Sequence, residues 1–340
     1  MKDVYKLSEV ADMLGVAKET LRRWEKSGKL ISERHPINNY RLYKSSDLKQ
    51  FEKIGFMFKE KSKQKDETPI KKFTSIELFA GAGGLALGLE KAGLDNVLLS
   101  EIDKNACETL RRNRPKWNVI EGDVAKIDFT PYKGKVDVLT GGFPCQAFSY
   151  AGKRLGFEDA RGTLFFEFAR AVKEVQPLIC IGENVRGLLQ HENGKTIEGM
   201  VSILDELGYE VIPPRVLKAI FHRVPQKRER IFIVGIKKGV DIDFEWPEQD
   251  SELFTLKDAL KKGKLFKTDV PESIGQTYPD SWDFAGALTS QYAQIGNAVP
   301  VNLALAMGKS IVRALNNYYR ERVDIPTKSK PKLVDMQLSI

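Results

Sequence analysis

The chain is poor in the residues that build metal sites and disulfides. Its 340 residues include only three cysteines (Cys107, Cys145, Cys180) and three histidines (His35, His191, His222). The cysteines are widely spaced with no Cys-x-x-Cys pair, which argues against a disulfide framework. The histidines show no ligand spacing, so no metal site is expected. No run of about 18 apolar residues is present, so no membrane span is expected. The N-terminus, Met1-Lys-Asp-Val-Tyr5, lacks the apolar core of a signal peptide, and the expected location is the cytoplasm.

What is present is an uneven charge. Of the net +8, residues 1–72 hold 18 Lys+Arg against 11 Asp+Glu, leaving +7 there and +1 for the rest. A basic first quarter beside a near-neutral body points to a polyanion as the partner of that quarter.

Leu7–Val16 has apolar Val10, Ala11 and Leu14 at helical spacing, with Ser8 as the expected cap and Gly15 as the stop. Ala17–Gly28 is a second helix, with Leu21 and Trp24 inward and Arg22 and Arg23 outward. Two short helices across a Gly-containing turn form a helix-turn-helix, and Arg34–Tyr43, with Arg41, reads as a two-stranded wing. Residues 4–50 resemble the DNA-binding domain of MerR-type regulators, which implies DNA contacts from Arg22, Arg23 and Arg41. The Lys-rich stretch to residue 72 has a linker composition.

From Phe73 strands and helices alternate. Expected strands are 74–79, 96–101, 118–121, 136–140, 178–183, 209–217 and 230–236, with helices near 85–92, 104–112, 164–175 and 196–207. This alternation predicts an α/β, doubly wound, mostly parallel sheet. The tail beyond Val323 reads as disordered.

Four blocks punctuate the sheet. Phe79-Ala-Gly81-Ala-Gly83-Gly84 joins the first strand to the first helix, where glycines permit a tight turn and a close ligand. Glu101 ends the next strand, 18 residues after Gly83, where a carboxylate can accept from a ribose diol. Gly142-Phe-Pro144-Cys145-Gln-Ala-Phe-Ser149 displays a thiol after a strand. Glu183-Asn-Val ends another strand, and Gln226-Lys-Arg228-Glu-Arg230 alternates into the last, so both guanidiniums can share one side.

In order and spacing these blocks resemble the C5-cytosine DNA methyltransferases over residues 73–318, about 246 of 340. The resemblance implies a fold that binds S-adenosylmethionine through Phe79, Gly81, Gly83, Glu101, Ile102, Asp123, Pro144, Asn297 and Ala298. It implies Cys145 as the nucleophile adding to cytosine carbon 6, Glu183 at ring N3, and Arg228 and Arg230 at the site. Arg230 is favoured for the base contact, although the sequence does not separate the two. Gln226 is placed at the DNA. The bland readings are a turn-capping role for Asp123 and a structural carboxylate for Glu183.

The domains expected are a helix-turn-helix domain (1–53), linker (54–72), catalytic domain (73–236), recognition region (237–290), closing block (291–320) and tail (321–340). The departure from the family is the recognition region: 41 residues separate Ile236 from Tyr278. Leu253–Lys262 is expected to lead into it, and Pro271–Gln276 stands where relatives carry an Arg-Glu helix. The implied enzyme modifies double-stranded DNA beside a cognate restriction endonuclease, a functional rather than physical partner. Two other readings stay open: an RNA cytosine methyltransferase of similar fold, and a DNA-binding regulator with a weakly active body.

Overall fold

The computed structural model describes residues 3–51, 67–144, 163–250, 253–254 and 277–323. Cys145, the tail beyond Val323, residues 255–262 and Pro271–Gln276 lie outside the described residues.

Near the N-terminus, strand β1 (Val4–Lys6) runs into helix α1 (Leu7–Leu14), followed by α2 (Lys18–Lys26), β2 (Glu33–Arg34), β3 (Arg41–Lys44) and α3 (Ser45–Leu48). The wing is therefore three-stranded, in the order β1-β3-β2, because Tyr5 pairs with Tyr43. The cap of α1 is Lys6, not the expected Ser8: the Glu9 carboxylate accepts the Lys6 N–H at 2.7 Å. A capping residue must precede the first helical residue, and Leu7 is already helical. Gly15 ends the helix with φ +67.

The large sheet has the order β6-β5-β4-β7-β8-β10-β9. Its strands are β4 (Phe73–Leu78), β5 (Leu94–Glu101), β6 (Val119–Glu121), β7 (Val138–Gly141), β8 (Ile179–Val185), β9 (Tyr209–Lys218) and β10 (Glu229–Lys237). The first five in that list are parallel, and β10 runs antiparallel to both β8 and β9. Pro213 and Pro214 sit in β9, at the sheet edge where a missing N–H donor is tolerated, and the β9–β10 register slips beside them.

Helices α4 (Gly84–Ala92), α5 (Lys104–Asn113), α6 (Leu164–Val175) and α7 (Lys195–Glu206) connect the strands. Towards the C-terminus come α8 (Leu288–Asn297) and the long α9 (Val301–Val323). Residues 288–322 are long and apolar enough to cross a membrane, but 67% of the apolar window is buried in this protein, as befits a core helix. One core packs α4 and α9 against Phe73, Val138, Ile179 and Val234; a second packs α6 and α7 against Ile76, Leu139 and Ile233 on the other face. Helices on both faces leave the carboxyl ends of the parallel strands open, which is where such sheets bind ligands.

The N-terminal core is not self-contained. Phe221, from the 3-10 turn Ala219–Phe221 after β9, is 1% exposed within a cluster of Val10, Met13, Leu14, Leu21 and Tyr43. Burying such a side chain stabilises by roughly 1.5–3 kcal/mol, so the two parts share a seam.

Candidate active site

A cleft of about 830 Å³ opens over the carboxyl ends of β4, β5, β7 and β8. At one end the chain leaves β4 through Phe79, whose φ of +57 is unusual for an aromatic residue and costs of order 1–3 kcal/mol. Strain of this kind persists only where the surroundings impose it. Glu101 holds the loop that follows: Oε2 accepts the Gly81 N–H at 2.7 Å, while Oε1 accepts from Ile102 and Asp103 at 2.8 and 2.9 Å. One carboxylate therefore ties the glycine loop to the end of β5. Asp103 then caps α5 by accepting from Ala106.

Phe79, Gly81, Glu101, Ile102, Asp123, Pro144, Asn297 and Ala298 all line this cleft. Ile102 is 70% exposed, an apolar shelf on the rim. Asp123 caps the turn Val124–Lys126 through Oδ1, which accepts from Ala125, so the bland reading holds alongside the cleft position. Gly83 does not line the cleft. With φ +81, it turns its open side to Leu110, whose Cδ2 would lie 2.6 Å from an added Cβ. It is a glycine for packing and for its left-handed backbone, not for the ligand.

The Tyr278–Trp282 turn closes this end from behind. Tyr278 and Trp282 pack on Ala82, Leu87 and Ala298, joining the return from the recognition region to the glycine loop.

The other end gathers charge. Glu183 is 7% exposed on β8, and Arg230 Nε stands 2.7 Å from its Oε1, without the alignment of a hydrogen bond. Burial pushes the Glu183 carboxyl up to about 7, even though Arg230 and Arg228 pull the other way. Burial, with Arg230 beside it, brings Arg228 down to about 10. Arg228 donates from Nη2 to the Gly296 carbonyl at 2.8 Å, holding the residue before Asn297. It thus braces the closing block. Gln226 is half-buried and stands outside the cleft lining.

Two contributors are missing from the sequence reading. Asn184 donates from Nδ2 to the Phe143 carbonyl at 2.9 Å, fixing the strand end two residues before Cys145. Glu77 lines the cleft fully buried, with Oε2 lacking a protein partner among the described residues. Burial holds its carboxyl well above the usual range, and the charge of Glu183 adds to this. The available signal was a carboxylate inside Phe73–Leu78, a strand otherwise read as buried on both faces. The remaining thiols, Cys107 and Cys180, are buried and pushed up to about 12, so they are poor nucleophiles.

In the N-terminal domain, Arg22 and Arg23 are exposed on α2. Arg22 pairs with Glu19 at 2.9 Å, and Arg23 has no ion-pair partner among the described residues. Arg41 is instead drawn inward: its Nε donates to Glu25 Oε2, joining the wing to α2. Its charge is already answered within the domain.

Comparison with known proteins agrees with this geometry. The model of the C-5 cytosine-specific DNA methylases matches residues 73–273 and 272–313, and that of the MerR family regulatory proteins matches residues 6–43. The chain is 48% identical to the type II methyltransferase M.Eco47II of Escherichia coli, over 93% of this chain and 97% of that one. It is 40% identical to the type II methyltransferase M.PspPI of Psychrobacter sp. (strain TA137), over 90% and 95%. The former alignment spans 406 positions, more than the 340 residues here, so the relative carries segments that this chain lacks. Among solved structures, the S. pombe Dnmt2 methyltransferase shares the fold with TM-score 0.51 and 15% identity, over 72% of this chain and 100% of that one. An Escherichia coli prophage protein assigned as a DNA modification methyltransferase gives TM-score 0.60 at 21% identity, over 72% and 100%. With well over half of its length matched by one family model and relatives aligned almost end to end, the chain belongs to the C-5 cytosine-specific DNA methylases.

Proposed function

We propose that this methylase takes its methyl group from S-adenosylmethionine held at the Phe79–Glu101–Asp123 end of the cleft, and activates a flipped cytosine at the Glu183–Arg230 end. The donor set fits the cofactor. Glu101 Oε2 retains an acceptor site for a ribose hydroxyl, Ile102 offers an apolar face to adenine, and Asp123 Oδ2 can accept from the adenine amino group. Added Cβ atoms at Gly81 and Gly122 would meet nothing within 4 Å, so the floor is open. Asn297 and Ala298, which line the cleft, would meet the methionine end. Bound there, the cofactor supplies an electrophilic methyl group on a sulfonium.

Cytosine carbon 5 is a poor nucleophile until the ring is made electron-rich. The Cys145 thiolate adds to carbon 6, and Glu183 donates its proton or a strong hydrogen bond to N3, so the ring becomes an enamine. Arg230, beside Glu183, holds the O2 side. After carbon 5 takes the methyl group, a base removes its proton and the Cys145 thiolate leaves. The observation that carries this reading is Glu183: a carboxyl buried at the cleft beside Arg230, its proton affinity raised by desolvation, can hold a proton and give it up.

In the cell the reading is a modification enzyme paired with a restriction endonuclease, with Arg22 and Arg23 contacting DNA from the N-terminal domain. Incubation with labelled cofactor and either mixed-sequence duplex DNA or transfer RNA, followed by bisulfite mapping, tests the substrate. Label in 5-methylcytosine of the duplex is expected. Label confined to RNA would overturn the reading.

A further inference from the structure

The N-terminal domain is joined to the catalytic body at a particular place. Phe221 enters its core, and Ile220 and Leu253 pack on the same cluster. Lys227 pairs with Asp12 of α1, and Lys218 Nζ reaches Gly15. The polypeptide from Ala219 to Arg230 thus serves both sides. Its alternation sends Arg228 and Arg230 to the cleft, while Lys227 goes to the N-terminal domain and Glu229 to Lys218 and Arg186. The start of the recognition region grips the same turn: Asp250 donates its N–H to the Phe221 carbonyl at 2.7 Å, and Arg223 lies over the Phe254 ring at 5.4 Å. A domain that worked as an independent repressor on a flexible tether would close its own core and show a polar surface here.

We propose that the N-terminal domain reads bases flanking the target cytosine during methylation, because the Phe221 seam fixes α2 and the wing relative to the cleft. The enzyme's recognition site is then composite. Part is read by the short recognition region, and part by the exposed basic face of α2, where Lys18, Arg22, Arg23 and Lys26 are all exposed. Forty-one residues between Ile236 and Tyr278 leave little room for a complete reader, since each discriminated base pair needs its own well-placed side chains. The inference rests on the reading that the N-terminal domain binds DNA.

The test uses the full chain and a duplex library with one fixed cytosine site and randomised flanks. Methylated molecules are sequenced after bisulfite treatment, for wild type and for Arg22→Ala/Arg23→Ala. The wild type is expected to enrich particular bases at a set distance from the methylated cytosine. The double variant should flatten that profile and raise KM for DNA about tenfold or more, with kcat falling less. Binding of both proteins to the same DNA over a salt series separates the two ways of failing. Unchanged affinity and salt slope in the double variant would remove DNA binding by α2, and the proposal with it. Weakened binding with an unaltered flank profile would mean that the domain binds DNA but takes no part in choosing the methylated cytosine.

Discussion

At the glycine-loop end of the cleft, Glu101 spreads its two oxygens over three backbone amides. At the base end, Glu183 keeps Oε1 without an aligned hydrogen bond, Arg228 Nε is unpartnered, and Glu77 Oε2 is likewise alone among the described residues. The first end is built from short loops tied to one carboxylate, and only the Tyr278 hydroxyl and Trp282 Nε1 packed behind them lack partners there among the described residues. The second is built from strand ends brought together across the sheet. Its buried polar groups are left short of partners, a costly arrangement that concentrates proton affinity where chemistry needs it. On the proposed reading binding and catalysis are separated along one cleft, and substitutions at the two ends should fail differently.

Glu183→Gln gives the largest expected effect. It keeps a hydrogen-bond donor for N3 but cannot transfer a proton, so kcat should fall by about 10²–10⁴ while cofactor affinity holds. Single-turnover methylation with parallel cofactor titration checks the pair of outcomes. Glu101→Ala should do the reverse. Cofactor affinity should drop about tenfold to a hundredfold, because hydrogen bonds to a charged group are lost and the Gly81 loop is released. Calorimetric titration reads it, and unchanged affinity would unseat Glu101 from the pocket.

The pH dependence of stability sharpens the same contrast. The folded pKa of Glu183 is about 7 against an ordinary 4.5, so the folded state holds a proton that the unfolded chain releases. Stability owed to this group is therefore greatest below pH 4.5 and falls as pH rises to 7, by up to ~3 kcal/mol. Unfolding free energies from urea titrations should fall more for wild type than for Glu183→Gln between these limits. The smallest effect is expected from Gly142→Ala. The new Cβ would lie 3.1 Å from Glu183 Oε2, so the carboxyl must shift by tenths of an ångström. A fall in kcat of about three- to tenfold, with cofactor binding intact, is the expected signature.

The parallel strands were legible because strands buried on both faces read as apolar runs, and every expected strand from Phe73 onward is present to within a few residues. Strand β1 was not: three residues carry no period, and only pairing with β3 makes Val4–Lys6 a strand. The site residues clustered by motif, and the structure adds an ion pair between Glu183 and Arg230 that the motifs did not announce. What motifs could not give was direction. Gly83 sits in the glycine loop yet faces Leu110, and Arg41 sits in a basic wing yet faces Glu25. The roles of Glu77 and Asn184 depend on neighbours from distant strands, which no local pattern encodes. The shared seam was equally hidden, because Phe221 looks like any core aromatic until its partners are known.

The covalent step is tested most directly with duplex DNA carrying 5-fluorocytosine, whose carbon 5 fluorine cannot be removed as a proton is. Wild type with cofactor should form a protein–DNA adduct that survives denaturation, and Cys145→Ser should form none while still binding cofactor. An adduct of equal yield in Cys145→Ser would contradict thiolate attack by Cys145.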